Sequence, residues 1–550
     1  MGRSTALAWL LACVMACAAG PASGVALLRE HAPTGLPPST AAWVTQLAGN
    51  TGLHPSLRIA QTEEGPGGAY VARAVRDIPA SEPLLRVTTR AGVTPGFAAD
   101  DVDLVKAAAF ILLLQDGVPA REAASRAARA SAQEVVAVQR SQRSGKAATQ
   151  GADLALVATA VVHEHFARAG RLPARRAWLA EQLERPLPST PDQWTPAERA
   201  PLDCTEASEA HLDLPSSLSA LFERFLQPLT AHLPAEFPPS VYSKDRFEWA
   251  ARRVLAWSVD VPAPPGSPGA PIPALMPILS AFRVAASGAA VAHVEFQYEG
   301  SPDEAVAVAA ARRAVRAGEE VVLAPWRDGR SLLRTRGAVV AGNPHDVLEV
   351  AIPLAGPPSE DPRRARRVQA FAPVLADMPD VVRLADAPSG DGGLAAFVTL
   401  RPHARDDRGA TAAVRAARVA VADSDTLMDF VFTTELLTGD DRPYTFEIEQ
   451  RALGLAVRAL AACDACPGSV RGDEDTVARA AGAARTATEY RVARRRLCVR
   501  ARETFEEALR ELAARGPRAP YPVRDINALV MMTEGETLPR WGWRAVPGAA

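Results

Sequence analysis

The sequence predicts an α+β fold in which short sheets are split by a helical insert and followed by an all-helical C-terminal domain. Three stretches carry that prediction. Residues 40–90 alternate apolar and turn-forming residues, as in Leu57-Arg58-Ile59, Ala69-Tyr70-Val71 and Pro83-Leu84-Leu85-Arg86-Val87 around Gly65-Pro66-Gly67-Gly68, the pattern of short strands and hairpins. From about 103 to 235 the apolar spacing turns helical, through Val105, Ala109, Leu112, Leu113, Val135–Val138 and Leu154–Phe166. Strand patterns return at Val291–Tyr298, Ala305–Ala309, Glu320–Leu323 and Val347–Ile352, before helical spacing dominates 367–515.

A chain of 550 residues is too long for one core and implies about three to four units. With 48% hydrophobic and 23% charged residues, it is not a disordered, collagen-like or multi-span membrane chain. A net charge of −2 leaves no field to draw nucleic acid or an acidic membrane, so no nucleic-acid partner is expected. Only Lys106, Lys146 and Lys244 are lysine. Arginine clusters such as Arg363-Arg364-Ala365-Arg366-Arg367 therefore read as solvated faces rather than phosphate sites.

Taken in order, residues 1–24 form a secretory signal: Arg3, the apolar run Ala6–Ala19, and the small residues Ala16-Cys17-Ala18. The run is shorter than the roughly 20 residues that span a bilayer, so no membrane span is expected once the leader is removed. The expected destination is the secretory pathway. A plastid reached through a two-part leader is the alternative, since Gly24–Ala42 carries Arg29 and Ser39 with few acids. Residues 40–100 and 246–355 read as two parts of one sheet domain, 101–245 as the helical insert, 367–515 as the helical domain and 516–550 as a tail. Phe247–Val259 is an amphipathic helix, Val261–Gly269 a loop, and Gly356–Arg366 a boundary rich in Pro and charge. Thr476–Leu512 reads as one helix stopped at Gly516-Pro517. A monomer is expected.

Isolated reactive residues give little. Cys204, Cys463, Cys466 and Cys498, which remain after the leader, are too few for a disulfide scaffold. Cys463-Asp464-Ala465-Cys466 has redox or metal spacing but no second Cys or His pair nearby, and reads as a loop disulfide or two unrelated thiols. His163-Glu164-His165 places its histidines on different faces and reads as a surface helix. His345, after a turn signal, reads as a loop-pinning residue, and Asp425, Glu435 and the Arg491–Arg500 run as solvated helix faces.

Longer strings carry a resemblance. They are Arg76-Asp77-Ile78-Pro79-Ala80 with Glu82-Pro83-Leu84-Leu85, Trp178–Leu183, Trp194–Glu198 and Leu202–Thr205. They continue with Phe237-Pro238, then Phe247-Glu248-Trp249-Ala250 and Val254, Leu332-Leu333, Gly337, Asn343-Pro344-His345-Asp346 and Tyr444–Gln450. In this order, over roughly residues 40–515, the chain resembles the SET-domain methyltransferases of the Rubisco large-subunit methyltransferase type, which include protein-lysine and actin-histidine methyltransferases. The resemblance implies a SET-type sheet domain, S-adenosylmethionine as methyl donor, and a protein substrate or binding partner on the helical domain 367–515.

Methyl transfer to an amine needs the deprotonated nitrogen held in line with the sulfonium methyl in a narrow, dry channel. The resemblance implies which positions do this, and most are substituted here. Gly67, Gly68 and Tyr70 fall at or beside the family's glycine-rich cofactor turn; Ala256-Trp257 replace its Ser-Arg pair; Arg283 and Val284 replace its Asn-His pair, and no Asn-His dipeptide occurs in the chain. At the catalytic tyrosine stands Trp326, and at the second family tyrosine Arg336. An indole has no hydroxyl to orient an amine. Losing three charged hydrogen bonds forfeits roughly 4–9 kcal/mol, against about −8 kcal/mol for micromolar binding. Three functions remain: a catalytically impaired or variant protein N-methyltransferase, a non-catalytic protein-binding module, and an unrelated helical scaffold, which would lack strands around 55–90.

Overall fold

The computed structural model describes residues 52–515 except 62–69, 90–91, 95–100, 132–134, 136–149, 168–177, 181–182, 206, 208–212, 263–270, 277–278, 280–281, 283, 285–291, 299–304, 389, 391, 403–407, 433–444 and 465. The leader 1–24 and the tail 516–550 lie outside the described residues. The chain divides into two compact units, one of residues 1–188, 215–285 and 289–326, the other of 189–214, 286–288 and 327–550.

The first unit is built on small antiparallel sheets. Strands β1 (Gly52–Leu53), β4 (Pro83–Thr88), β7 (Ala292–Tyr298) and β8 (Ala305–Ala311) form one sheet in the order β1-β4-β8-β7. Central β8 is Ala-Val-Ala-Val-Ala-Ala-Ala and is buried nearly throughout, so both faces need small apolar side chains and the period-two alternation disappears. Two further pairs complete it: β2 (Leu57–Gln61) with β3 (Tyr70–Ala74), and β5 (Val259–Val261) with β6 (Ile272–Ala274). With strands over 57–88, the unrelated-scaffold reading falls. Glu320–Leu323 forms no strand; it makes isolated bridges, Arg73 to Glu320 and Leu323 to Val284 and Ala292. One more bridge joins Val93 to Leu275, and Gly92 is required beside it because a Cβ there would run into the Leu275 carbonyl.

The helices of this unit include α1 (Val102–Gln115), α2 (Ala120–Ala127), α3 (Gln150–Phe166), α4 (Leu214–Leu221), α5 (Gln227–His232) and α6 (Lys244–Trp257). Asp101 caps α1 by accepting from the N–H groups of Asp103 and Leu104 at 2.9 and 3.2 Å. Ser243 caps α6, which buries Phe247, Ala250, Ala251 and Val254 at three- and four-residue spacing.

The second unit has a three-stranded antiparallel sheet ordered β10-β11-β9, with β9 Leu348–Ala355, β10 Val382–Asp386 and β11 Leu394–Leu400. The sequence places no strand within 367–515, yet β10 and β11 form a hairpin there around Gly390, Gly392 and Gly393. Their alternation is weak because Leu394-Ala395-Ala396 is apolar on both faces. Helices α7 (Gly329–Arg336), α8 (Arg364–Asp377), α9 (Arg408–Val421), α10 (Ser424–Phe432), α11 (Phe446–Cys463), α12 (Val470–Arg479) and α13 (Gly482–Arg515) belong to the same unit, as do short helical turns within 191–202. From Arg408 onward the described elements are all helical. The Thr476–Leu512 helix is in fact two, interrupted at Ala480-Ala481, and α13 alone is roughly 50 Å long at 1.5 Å per residue. Residues 356–366 lie inside this unit, where Arg364 donates to the carbonyls of Gly356 and Gly392 and Arg367 pairs with Asp361 at 2.7 Å. Among the described residues no helix is long and apolar enough to cross a membrane.

Candidate functional site

In the first unit, α6 runs straight into β5, and that junction sets Ala256 and Trp257. Ala256 is 1% exposed, so its position faces the interior and offers only a methyl group. Trp257 is half-buried, and its indole nitrogen is enclosed with no hydrogen-bond partner. The following strand contributes Val259 and Val261 to an apolar core with Leu84, Val87, Phe282, Ala307 and Leu323. Half-buried Trp326 packs against this same core. Val284 bridges in parallel to Leu323, three residues before Trp326. Tyr70 opens β3, opposite Gln61. Gly67, Gly68 and Arg283 lie outside the described residues.

Arg336 belongs to the second unit, half-buried at the last position of α7. Asp328 caps this helix by accepting from Ser331 N–H and Oγ at 3.0 and 2.6 Å, and Gly337 ends it at φ 55°. The Asn343-Pro344-His345-Asp346 string holds the next loop, though Asn343 is the pin: wholly buried, it donates Nδ2 to the Arg327 carbonyl at 2.7 Å and accepts from His345 N–H at 3.0 Å. Asp346 accepts from Gly329 N–H at 2.6 Å.

Other sequence-based expectations change. His163 and Glu164 are 2% and 1% exposed, so their helix is no surface helix; α3 is packed between α1 and α6. His163 Nδ1 lies 2.6 Å from the Tyr242 hydroxyl, and Nε2 lies 3.6 Å from Asp101 Oδ2. Burial, reinforced by the Asp103 and Asp101 carboxylates, pushes the Tyr242 phenol above its ordinary value, so it stays protonated as a hydrogen-bond donor. Among the described residues no group of three His, Cys, Asp or Glu is placed to hold a metal.

The Arg491–Arg500 run is only partly a solvated face: Arg496 is exposed, but Arg494 and Arg495 are interior. Arg495 is 5% exposed; its Nε meets Asp464 at 2.7 Å, and its terminal nitrogens reach Asp473 at 3.0 Å, the Gly468 carbonyl at 2.9 Å and the Pro467 carbonyl at 3.4 Å. Burial opposes its charge, yet the hydrogen bonds to Asp473 and Asp464 outweigh that and hold the guanidinium above its ordinary range. Arg491 also pairs with Asp473. The cysteines do not pair within their turn: Cys463 bonds Cys498, and Cys466 bonds Cys204, which is 262 residues away. Four cysteines allow three pairings, and spacing alone does not choose among them.

Solved structures share this architecture at low sequence identity. The SET domain of LSMT bound to lysine and AdoHcy is 12% identical, with a TM-score of 0.53 over 86% of this chain and 92% of that one. Rubisco LSMT bound to AdoMet is 12% identical, with a TM-score of 0.52 over 87% and 94%. The chain has the SET-domain methyltransferase fold. A third structure, the SET domain of LSMT bound to methyllysine and AdoHcy, superposes with a TM-score of 0.51 at 12% identity, covering 87% of this chain and 94% of that one. No family model matches the sequence, and no curated protein matches it either.

Proposed function

We propose that this chain is a SET-fold protein of the protein N-methyltransferase type whose methyl transfer is impaired, and that the mainly helical region 367–515 works as a surface for a protein partner. The observation that carries the reading is Trp326: at the position of the catalytic tyrosine, its indole rests on the apolar core of the first unit. The described residues also fit S-adenosylmethionine poorly. At the family's cofactor positions Ala256 offers a buried methyl and Val284 an isopropyl group, and Trp257 supplies one indole N–H in place of a guanidinium. The structural neighbours hold AdoMet, AdoHcy, lysine or methyllysine, which supports a protein side chain as the ancestral substrate.

The test is calorimetric titration of the full chain with S-adenosylmethionine, followed by a methylation assay on peptides. The expected result is no binding at micromolar concentrations and no turnover, and Trp326→Tyr alone does not restore turnover. Micromolar affinity with turnover would overturn the reading. We also propose that the chain enters the secretory pathway. Its leader pattern and its two disulfides support this, since disulfides persist in oxidising compartments. Imaging a tagged full-length chain in its native cell checks it, and plastid fluorescence is the opposing outcome.

A further inference from the structure

One surface of the first unit carries positive charge that the chain itself does not neutralise. Strands β2 and β3 are antiparallel, and their register sets Arg58 directly opposite Arg73. Both arginines are exposed, whereas Leu57, Ile59, Ala72 and Ala74 are buried, so the two guanidiniums share the outer face of the pair. Directly opposite side chains stand about 5 Å apart at Cβ, where like charges repel and weaken the pairing. Solubility alone would be met by threonine at either position, which also favours strands.

Neighbouring residues add to the excess. Arg76, Arg312 and Arg316 are exposed as well, and the segment after β3 is joined to residues 311–320 by the Ile78–Val315 bridge and by Ala74 N–H on the Glu319 carbonyl at 3.0 Å. The acids here are already engaged. Asp77 accepts from Ala317 N–H at 2.8 Å, and Glu319 pairs with Arg313 while accepting from Arg316 N–H at 3.0 Å. Glu320 is bridged to Arg73 through the backbone, one carboxylate beside two guanidiniums. Among the described residues Arg58, Arg73, Arg76 and Arg312 enter no ion pair. An apolar residue lies next to this charge. Val75 is two residues beyond Arg73 on the same face, it is 49% exposed, and its N–H donates to the Ser56 carbonyl at 2.7 Å, which keeps it against the end of β2.

We propose that the outer face of β2 and β3 docks an acidic segment of a partner protein, with carboxylates on Arg58 and Arg73 and an apolar side chain on Val75. A guanidinium presents two parallel N–H donors to a carboxylate, and a carboxylate set between the two arginines cancels the repulsion that the bare sheet carries. The exposed valine selects a peptide over a sulfated polysaccharide, which offers anions but no apolar side chain. These residues belong to the first unit and share none with the region 367–515.

The test uses the full chain and a fluorescein-labelled peptide rich in Glu with a Val at its centre, read by anisotropy at low salt. Saturable binding is expected, weakening as salt rises and lost when Gln replaces Glu in the peptide. Arg58→Gln and Arg73→Gln are each expected to weaken it about threefold, and Arg58→Glu combined with Arg73→Glu to abolish it. Val75→Ser is expected to weaken it about fivefold, the value of half-burying one valine. Arg58→Gln should melt no lower than wild type, because it relieves the like-charge pair, so its weaker binding is not a loss of folding. A wild-type chain that ignores the peptide, variants that bind it as wild type does, or a heparin oligosaccharide that binds where the peptide does not would each overturn the proposal.

Discussion

Replacing Arg495 with methionine removes the centre of the second unit's polar interior while keeping the length of the side chain. The guanidinium is buried between Asp464 and Asp473, whose side chains are 17% and 6% exposed, and it also serves the Pro467 and Gly468 carbonyls. Removing one partner of a buried pair costs about 3–5 kcal/mol, because the other charge is left unmatched. Arg491 still reaches Asp473, which places the loss near the lower end, about 3 kcal/mol. For a unit of this size each kcal/mol moves Tm by about 2–4 °C, so the second unit is expected to melt about 6–12 °C lower. Calorimetry or near-ultraviolet dichroism on the full chain reads this directly. Arg495→Lys falls between, since a point charge cannot bridge a carboxylate and two carbonyls in one plane. A Tm within about 2 °C of wild type for Arg495→Met would refute the reasoning.

Gly337→Ala is expected to cost about 1–3 kcal/mol, because the residue has φ 55° and a Cβ there would collide with the Ser189 carbonyl; urea unfolding of the variant measures it. In the first unit, Lys106→Met removes the 2.9 Å pair with Glu236 and is expected to cost roughly 0.5–1 kcal/mol at neutral pH. The hydrogen bond from Lys106 holds the Glu236 carboxyl below its usual range, and the same bond raises the lysine. The Glu236 contribution is therefore present above the unfolded carboxyl pKa of about 4.3 and lost as pH falls through the lower folded value. The Lys106 contribution is present below about 10.4 and lost as pH rises through the higher folded value. Stability measured against pH should thus show the variant's deficit at neutral pH and its disappearance at both extremes.

Much of the fold is legible along the chain because its signals are local. Pro83-Leu84-Leu85-Arg86-Val87 reads as a strand beside the glycine-rich turn, and Phe247, Ala250 and Val254 repeat at helical spacing. The hairpin at 382–400 also left a trace, the glycine-rich turn between two apolar runs, but helical spacing around it was the louder pattern. The candidate site is harder to read. Trp326 stands in the string where the resemblance implies a tyrosine, yet only packing shows its indole resting on the core.

Burial and pairing partners belong to the tertiary structure alone. The sequence by itself determined the order of sheet, insert and helical domain, and it placed Ala256, Trp257, Val284 and Trp326 where the resemblance implies polar groups. Tertiary structure decided that His163 and Arg495 are interior residues, that residues 189–207 join the second unit, and that Cys463 and Cys466 face different partners. The reason is physical: helix and strand signals act over a few residues, whereas desolvation and cross-linking depend on which distant segments the folded chain brings within bonding distance.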